Sequence, residues 1–271
     1  MADPRVRSSV RKRASVRLDR KTVAFNVGPD KELFTVHEDL ICVSPYFRNI
    51  LQPRRKDVEG NCSICQESLN PEVKELTYCS SSCGGNFHRS CIDELRDSTP
   101  DGDVPNCPLC RQPWTAPDFW SGVHELPTLN ADAFEAYTEW LYNSNPFPEL
   151  SAWPIYHACV FGEQIGHQAF SCDARGAMME IHGYERTFPT AMAVNFMYGR
   201  TPVGSSLRGC IVRLFTQLPQ EALQRFLAVW REYLSDFTTD LFEALFAERS
   251  NVRLFYGPAG RRHLRPNCCP G

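Results

Sequence analysis

Between residues 62 and 110 the chain carries its cysteines in close pairs: Cys62-Ser-Ile-Cys65, Cys79-Ser-Ser-Ser-Cys83, His88-Arg-Ser-Cys91 and Cys107-Pro-Leu-Cys110. Two thiolates two or three residues apart reach one tetrahedral ion without straining the backbone, so four such pairs within about 50 residues supply two closed zinc sites. A closed site leaves no position for water or substrate, and metal-assisted hydrolysis is not expected from it. The role expected of the two ions is structural. The large apolar side chains of the segment, Ile64, Leu76, Phe87, Ile92, Leu95, Leu109 and Trp114, are too few to fold it alone. The plainer alternative is that these cysteines are ordinary buried thiols.

Composition bears on that choice. With 13 cysteines, a secreted chain of 271 residues would be read as a disulfide framework. No run approaches 18 apolar residues, and the basic N-terminus is not followed by an apolar stretch, so neither a membrane span nor a signal peptide is expected. The expected location is intracellular, nuclear or cytoplasmic, where paired cysteines serve as metal ligands. The net charge of −3 hides an asymmetry: residues 1–21 hold eight Arg or Lys against two Asp, +6, which leaves −9 for the remainder. Residues 1–19 therefore read as a disordered basic tail, either a solvated arm, a localisation signal or a nucleic-acid contact. No other stretch suggests nucleic acid as a partner.

Two strings, Cys62-Ser63-Ile64-Cys65 and Cys107-Pro108-Leu109-Cys110-Arg111, make the segment 59–114 resemble a RING finger. In that family the pairs interleave. The resemblance implies one zinc on Cys62, Cys65, His88 and Cys91 and a second on Cys79, Cys83, Cys107 and Cys110. One departure is that Gly85 stands where the family commonly has a His, so the order becomes four Cys, one His, three Cys. That order also occurs in PHD fingers, which read histone tails, but Pro105 occupies the position of their usual aromatic. Gly84-Gly85 serves the ligand turn.

Upstream, Val23, Phe25 and Val27 alternate with polar or small residues as in a half-buried strand, Gly28-Pro29-Asp30 turns the chain, and 33–36 returns as a second strand. Ser44 is placed to cap a helix beginning at Pro45, with Tyr46, Phe47, Ile50 and Leu51 on one face. The strings Val27-Gly28, Phe34-Thr35-Val36-His37, Leu40-Ile41-Cys42 and Ser44-Pro45-Tyr46-Phe47-Arg48 resemble the opening of a BTB/POZ domain of the fungal type. The strand and helix that should follow come only after the zinc segment, at 123–127 and 130–142. There Phe134, Tyr137 and Leu141 share a face and Asn130 suits the N-terminus. The resemblance implies an α+β fold: a BTB/POZ-like scaffold, 20–52 and 120–182, interrupted by a small two-zinc cross-brace RING finger and followed by a helical C-terminal region, 183–250. Such an insertion costs little where the insert brings its own ends together.

The remainder reads as helical: 152–166 and 168–182 as closing helices of the scaffold, then 189–198 and 205–218. The segment 221–234 has Leu223, Phe226, Leu227, Trp230 and Leu234 at core spacing, and 236–248 should bury Phe237, Leu241, Leu245 and Phe246 behind Ser235. No internal repeat is evident. Cys42, Cys159, Cys172 and Cys210 lie among apolar residues and read as buried thiols. His37, His124, His157, His167, His182 and His263 fall at no ligand spacing, and no catalytic nucleophile stands out. Residues 251–271 read as a tail; Cys268 stands where a prenylated Cys would be, but Pro270 and Gly271 fit that badly.

What the RING resemblance implies is a ubiquitin-conjugating enzyme as partner and, if the chain is an enzyme, a RING-type E3 ubiquitin–protein transferase without a covalent intermediate. The family's contact positions fall on Ile64, Leu95, Pro108 and Arg111. The BTB resemblance implies self-association or a cullin-type partner, with a protein substrate still to be found. The rival class is a non-catalytic scaffold or adaptor, and a PHD-like chromatin reader is a third.

Overall fold

A computed structural model of the chain describes residues 21–249 apart from 72, 101, 115–121, 143, 144 and 186. The expectations for 1–19, 251–271, Cys268 and His263 lie outside these residues. The described residues fall into two compact units, 53–114 in one and 21–52 with 122–249 in the other.

The larger unit begins with β1 (Thr22–Val27) and β2 (Glu32–His37), antiparallel in register from Thr22↔His37 to Val27↔Glu32. The turn between them uses left-handed backbone at Gly28 (φ 77°) and Lys31 (φ 55°). Val23, Phe25 and Val27 all point into the core, whereas on β2 Val36 is buried and Leu33 is exposed. Two short helices follow, α1 (Glu38–Ile41) and α2 (Pro45–Leu51). Ser44 precedes α2 as expected, but its hydroxyl does not cap the helix. It is buried and donates to the Ile165 carbonyl at 2.7 Å, tying α2 to a helix far along the chain.

The chain then enters the smaller unit, which has a two-stranded antiparallel sheet of β3 (Leu76–Tyr78) and β4 (Asn86–His88), and a helix, α3 (Arg89–Asp97). Its core is Leu69, Phe87, Ile92 and Trp114, with Phe87 and Trp114 edge to face at 5.4 Å. Two side chains counted toward this core, Ile64 and Leu109, are instead 37% and 54% exposed.

The return to the larger unit is made by β5 (Val123–Leu126), which lies parallel to β1 on the side away from β2, giving the order β2-β1-β5. Helix α4 (Ala131–Leu141) starts at Asn130, whose side chain accepts from Ala133 N at 2.9 Å, and it buries Phe134, Tyr137 and Leu141. Helices α5 (Ala152–Ile165) and α6 (Gln168–Glu185) pack beside it. The rings of Phe25, Phe47, Phe134, Tyr137, Phe161 and Phe170 meet one another around this junction, for example Phe25 with Phe134 at 5.7 Å and Tyr137 with Phe170 at 5.0 Å. Then come α7 (Ala191–Tyr198), α8 (Ser206–Thr216), α9 (Gln220–Val229) and α10 (Ser235–Arg249), with Thr190 and Ser205 capping α7 and α8.

The segment expected as a helix over 221–234 departs most from expectation. Helix α9 ends at Val229 and a single 3-10 turn covers Trp230–Glu232. Of its apolar stripe only Phe226 is buried, at 2% exposure, while Leu227 is 55% exposed and Leu223, Trp230 and Leu234 are also exposed. On α10 Phe237 and Leu241 are buried but Phe246 is 65% exposed. Cys159 and Cys210 are buried thiols as expected, Cys42 is a half-buried thiol, and Cys172 is half-buried and disulfide-bonded. Three of the histidines off the finger serve as hydrogen-bond partners of tyrosines: His37 with Tyr142 at 2.6 Å, His167 with Tyr137 at 3.1 Å and His182 with Tyr156 at 2.8 Å. Among the described residues no helix is long and apolar enough to cross a membrane.

Candidate metal centre

The structure brings the eight paired residues into two sets. Cys62, Cys65, His88 and Cys91 form one, Cys79, Cys83, Cys107 and Cys110 the other, and the donor atoms within each set lie within 4.8 Å of one another. The sets interleave along the chain. In the first, His88 Nδ1 lies 3.2 Å from Cys65 Sγ and 3.9 Å from Cys91 Sγ. His88 Nε2 faces the Ser68 carbonyl at 3.1 Å and donates its proton there, which leaves the Nδ1 lone pair aimed at the thiols. In the second set, Cys79 lies 3.9 Å from Cys110 and Cys83 lies 3.7 Å from Cys107, sulfur to sulfur.

The first and last pairs are built alike. Cys62 N donates to Glu67 O and Gln66 N donates to Cys62 O; Cys107 N donates to Gln112 O and Arg111 N donates to Cys107 O. Isolated β-bridges, Asn61↔Ser68 and Asn106↔Pro113, close both loops, and both bury the next residue, Leu69 and Trp114. Residues 61–69 and 106–114 are thus two copies of one knuckle, an internal repeat that sequence reading missed. The cue was present: Asn-Cys-x-apolar-Cys occurs in both. Each knuckle needs left-handed backbone just after its second Cys. Gln66 and Arg111 supply it at φ 64° and 60°, although neither is glycine.

Thiol acidity varies widely within each set. Burial pushes Cys91 up to about 12, helped by the neighbouring sulfurs of Cys65 and Cys62. Cys107 is likewise pushed up to about 12 by burial, against hydrogen bonds from the backbone of Cys110 and Leu109. At Cys79 burial is outweighed by hydrogen bonds from the Ser81 hydroxyl and from the backbone of Cys83 and Ser82, which bring it to about 6. Four sulfur or imidazole donors this close can all present lone pairs together only around a cation. Soft thiolates with one imidazole, in fours and without an open position, suit zinc. The two sets are consistent with two zinc ions.

Residues 60–111 match the protein family described as Ring finger domain. This segment is a RING-type zinc finger. Curated relatives also align with part of the chain: E3 ubiquitin-protein ligase Zswim2 of Mus musculus is 38% identical over 64 residues, covering 22% of this chain and 10% of that protein. E3 ubiquitin-protein ligase ZSWIM2 of Homo sapiens is 36% identical over 64 residues, covering 23% of this chain and 10% of the relative. The matched stretch thus spans about a tenth of the length of these relatives. No solved structure matches the chain.

The remaining predicted site residues lie around the RING finger's rim. Ile64 is at the tip of the first knuckle and exposed, and Pro108 and Arg111 are exposed on the last one. Leu95, on α3, is half-buried against the finger's own core. Leu109, the counterpart of Ile64 in the second knuckle, is more exposed than Ile64 and was overlooked as a surface residue.

Proposed function

We propose that the RING finger recruits a ubiquitin-conjugating enzyme and holds its ubiquitin thioester in a reactive pose, so that the chain acts as an E3 ubiquitin–protein ligase. In this reading one zinc sits on Cys62, Cys65, His88 and Cys91 and the other on Cys79, Cys83, Cys107 and Cys110, both structural. The finger supplies no nucleophile. A lysine amine of the substrate attacks the thioester carbonyl, the conjugating enzyme's cysteine leaves as thiolate, and the amine proton passes to solvent or a base on that enzyme. The finger lowers the barrier by restricting orientation, the kind of effect that entropy makes large.

The observation that carries the reading is the last knuckle. Arg111 keeps a long cationic side chain exposed at a backbone position that glycine would fill with less strain. The knuckle's own backbone hydrogen bond, Arg111 N to Cys107 O, fixes the main chain that carries this guanidinium beside a metal ligand, where it is free to donate to two partners at once, enzyme and ubiquitin. Ile64, Pro108 and Leu95 are assigned to the enzyme-facing surface. The two relatives, both E3 ubiquitin-protein ligases, support the reading over the 64 residues that align.

For the larger unit the reading is a BTB-like scaffold that holds a substrate, a second copy or a cullin-type partner. The hairpin, the parallel third strand in order β2-β1-β5 and the succeeding helices support it. One observation favours a non-catalytic adaptor instead: Leu95 is turned partly into the finger, leaving less apolar surface for an enzyme to cover.

The test is discharge of ubiquitin from a panel of charged conjugating enzymes, comparing the full chain with Arg111→Ala and counting zinc in both. The ligase reading expects discharge that falls at least tenfold in the variant with two zincs retained. Two zincs with no stimulation of any enzyme would rule it out in favour of an adaptor.

A further inference from the structure

The basic string at 53–56, which leads into the finger, is built into its framework. Arg54 Nη1 donates to the Ser81 carbonyl at 2.6 Å and the Ser80 carbonyl at 3.4 Å. Lys56 N donates to the Gly84 carbonyl at 3.0 Å. From β4, the buried Asn86 side chain donates to the carbonyls of Lys56 at 3.1 Å and Asp57 at 3.2 Å, and accepts from Arg55 Nε at 2.9 Å. The Arg55 guanidinium also lies over the Tyr78 ring, 5.3 Å from its centroid. The approach is close enough to dictate a residue type: a Cβ on Gly84 would fall inside the Arg54 carbonyl group.

The bonds from Arg54 and Lys56 share one target. Residues 79–85 form the loop between β3 and β4, and this loop carries Cys79 and Cys83, half of the four-cysteine set. Ser81 fastens the loop's other side by donating its hydroxyl to the Pro113 carbonyl at 3.0 Å, on the knuckle that holds Cys107, Cys110 and Arg111. Lifting this loop would withdraw two of the four thiolates at once. The bonds from Arg54 and Lys56 exist only while it is down.

We propose that residues 54–57 are a strap that keeps the four-cysteine site closed, with Arg54 and Asn86 as the residues that position it. The strap sets how long the second ion stays, and through the loop and Ser81 it steadies the knuckle that presents Arg111. This rests on the two-zinc reading of the finger and not on its ligase activity.

The experiment loads the full chain with cobalt(II), whose visible bands differ between four thiolates and three thiolates with one imidazole, and follows release to a chelator. Each lost hydrogen bond to an exposed or part-buried group is worth about 1 kcal/mol, about a fivefold change in rate. Arg54→Ala and Asn86→Ala are each expected to speed release from the four-thiolate set about five- to tenfold, with the mixed set at its wild-type rate. Arg96→Ala on α3 serves as the control and is expected to change neither. Wild-type release from the four-thiolate set in both variants overturns the strap, and so does equal acceleration at both sets. A wild-type chain that holds both ions without discharging ubiquitin would sink the ligase reading and leave the strap untouched.

Discussion

Arg111 holds a backbone conformation that costs a non-glycine residue about 1 kcal/mol, and nothing in the knuckle's hydrogen bonding uses its side chain. Function and stability should therefore separate at this position. Arg111→Gly is expected to keep both zincs and to stabilise the finger by about 0.5–1 kcal/mol while losing ubiquitin discharge as fully as Arg111→Ala. Comparing chelator resistance with discharge for the two variants checks this; a Gly variant that retains discharge would remove the guanidinium from the mechanism. The residue scale is also where sequence reading did best and worst. The two-zinc content was legible because tetrahedral coordination imposes its spacing on the chain locally, so Cys-x-x-Cys is visible without a fold. The Ser44 hydroxyl was misread because its partner, Ile165, lies 121 positions away, whereas the cap it seemed to offer was next door. The Arg54 carbonyl against Gly84 was invisible for the same reason.

At the scale of single elements, α9 shows what periodicity can and cannot report. Spacings of three and four reveal that one side of a helix is apolar, and they say nothing about whether anything covers it. Here, of the large apolar residues, only Phe226 turns inward, meeting Phe215 at 5.2 Å and Tyr233 at 5.3 Å, while Leu227 next to it faces out. Phe226→Ala is expected to cost about 3–5 kcal/mol, the range for emptying a packed aromatic site, and Leu227→Ala under about 0.5 kcal/mol. Denaturant unfolding of the two variants measures the difference; similar losses would mean that the outer side of α9 is covered in solution. By contrast α4 behaved as its pattern and cap predicted, since its apolar residues sit between the sheet and α5, where both neighbours are built from the same unit.

At the scale of the molecule, acid should weaken the larger unit. His124 is held below its ordinary value by burial, against the pull of Glu38, and His157 likewise by burial, against Asp132. Both folded-state values are depressed, so below about pH 6.5 the unfolded chain binds more protons than the folded one, and stability falls as pH falls. The expected result is a melting temperature that declines from pH 7.5 to 5.5, with the decline flattened by His124→Gln and His157→Gln together. A flat profile in the wild type would show that these two imidazoles keep their solvent-like acidity. The parallel strand β5 has a consequence in time as well as in space. Asn26 on β1 bonds Glu125 on β5, 99 positions further on. At ribosomal speeds of 5–20 residues per second, β1 waits about 5–20 s with one edge of its sheet unpaired. What emerges during that wait is the cysteine-rich segment, so the supply of zinc at the moment of synthesis decides whether the late strand arrives tethered to a folded knot or to a long loose loop, and with it how many newborn chains close the sheet before their bare edge finds another chain.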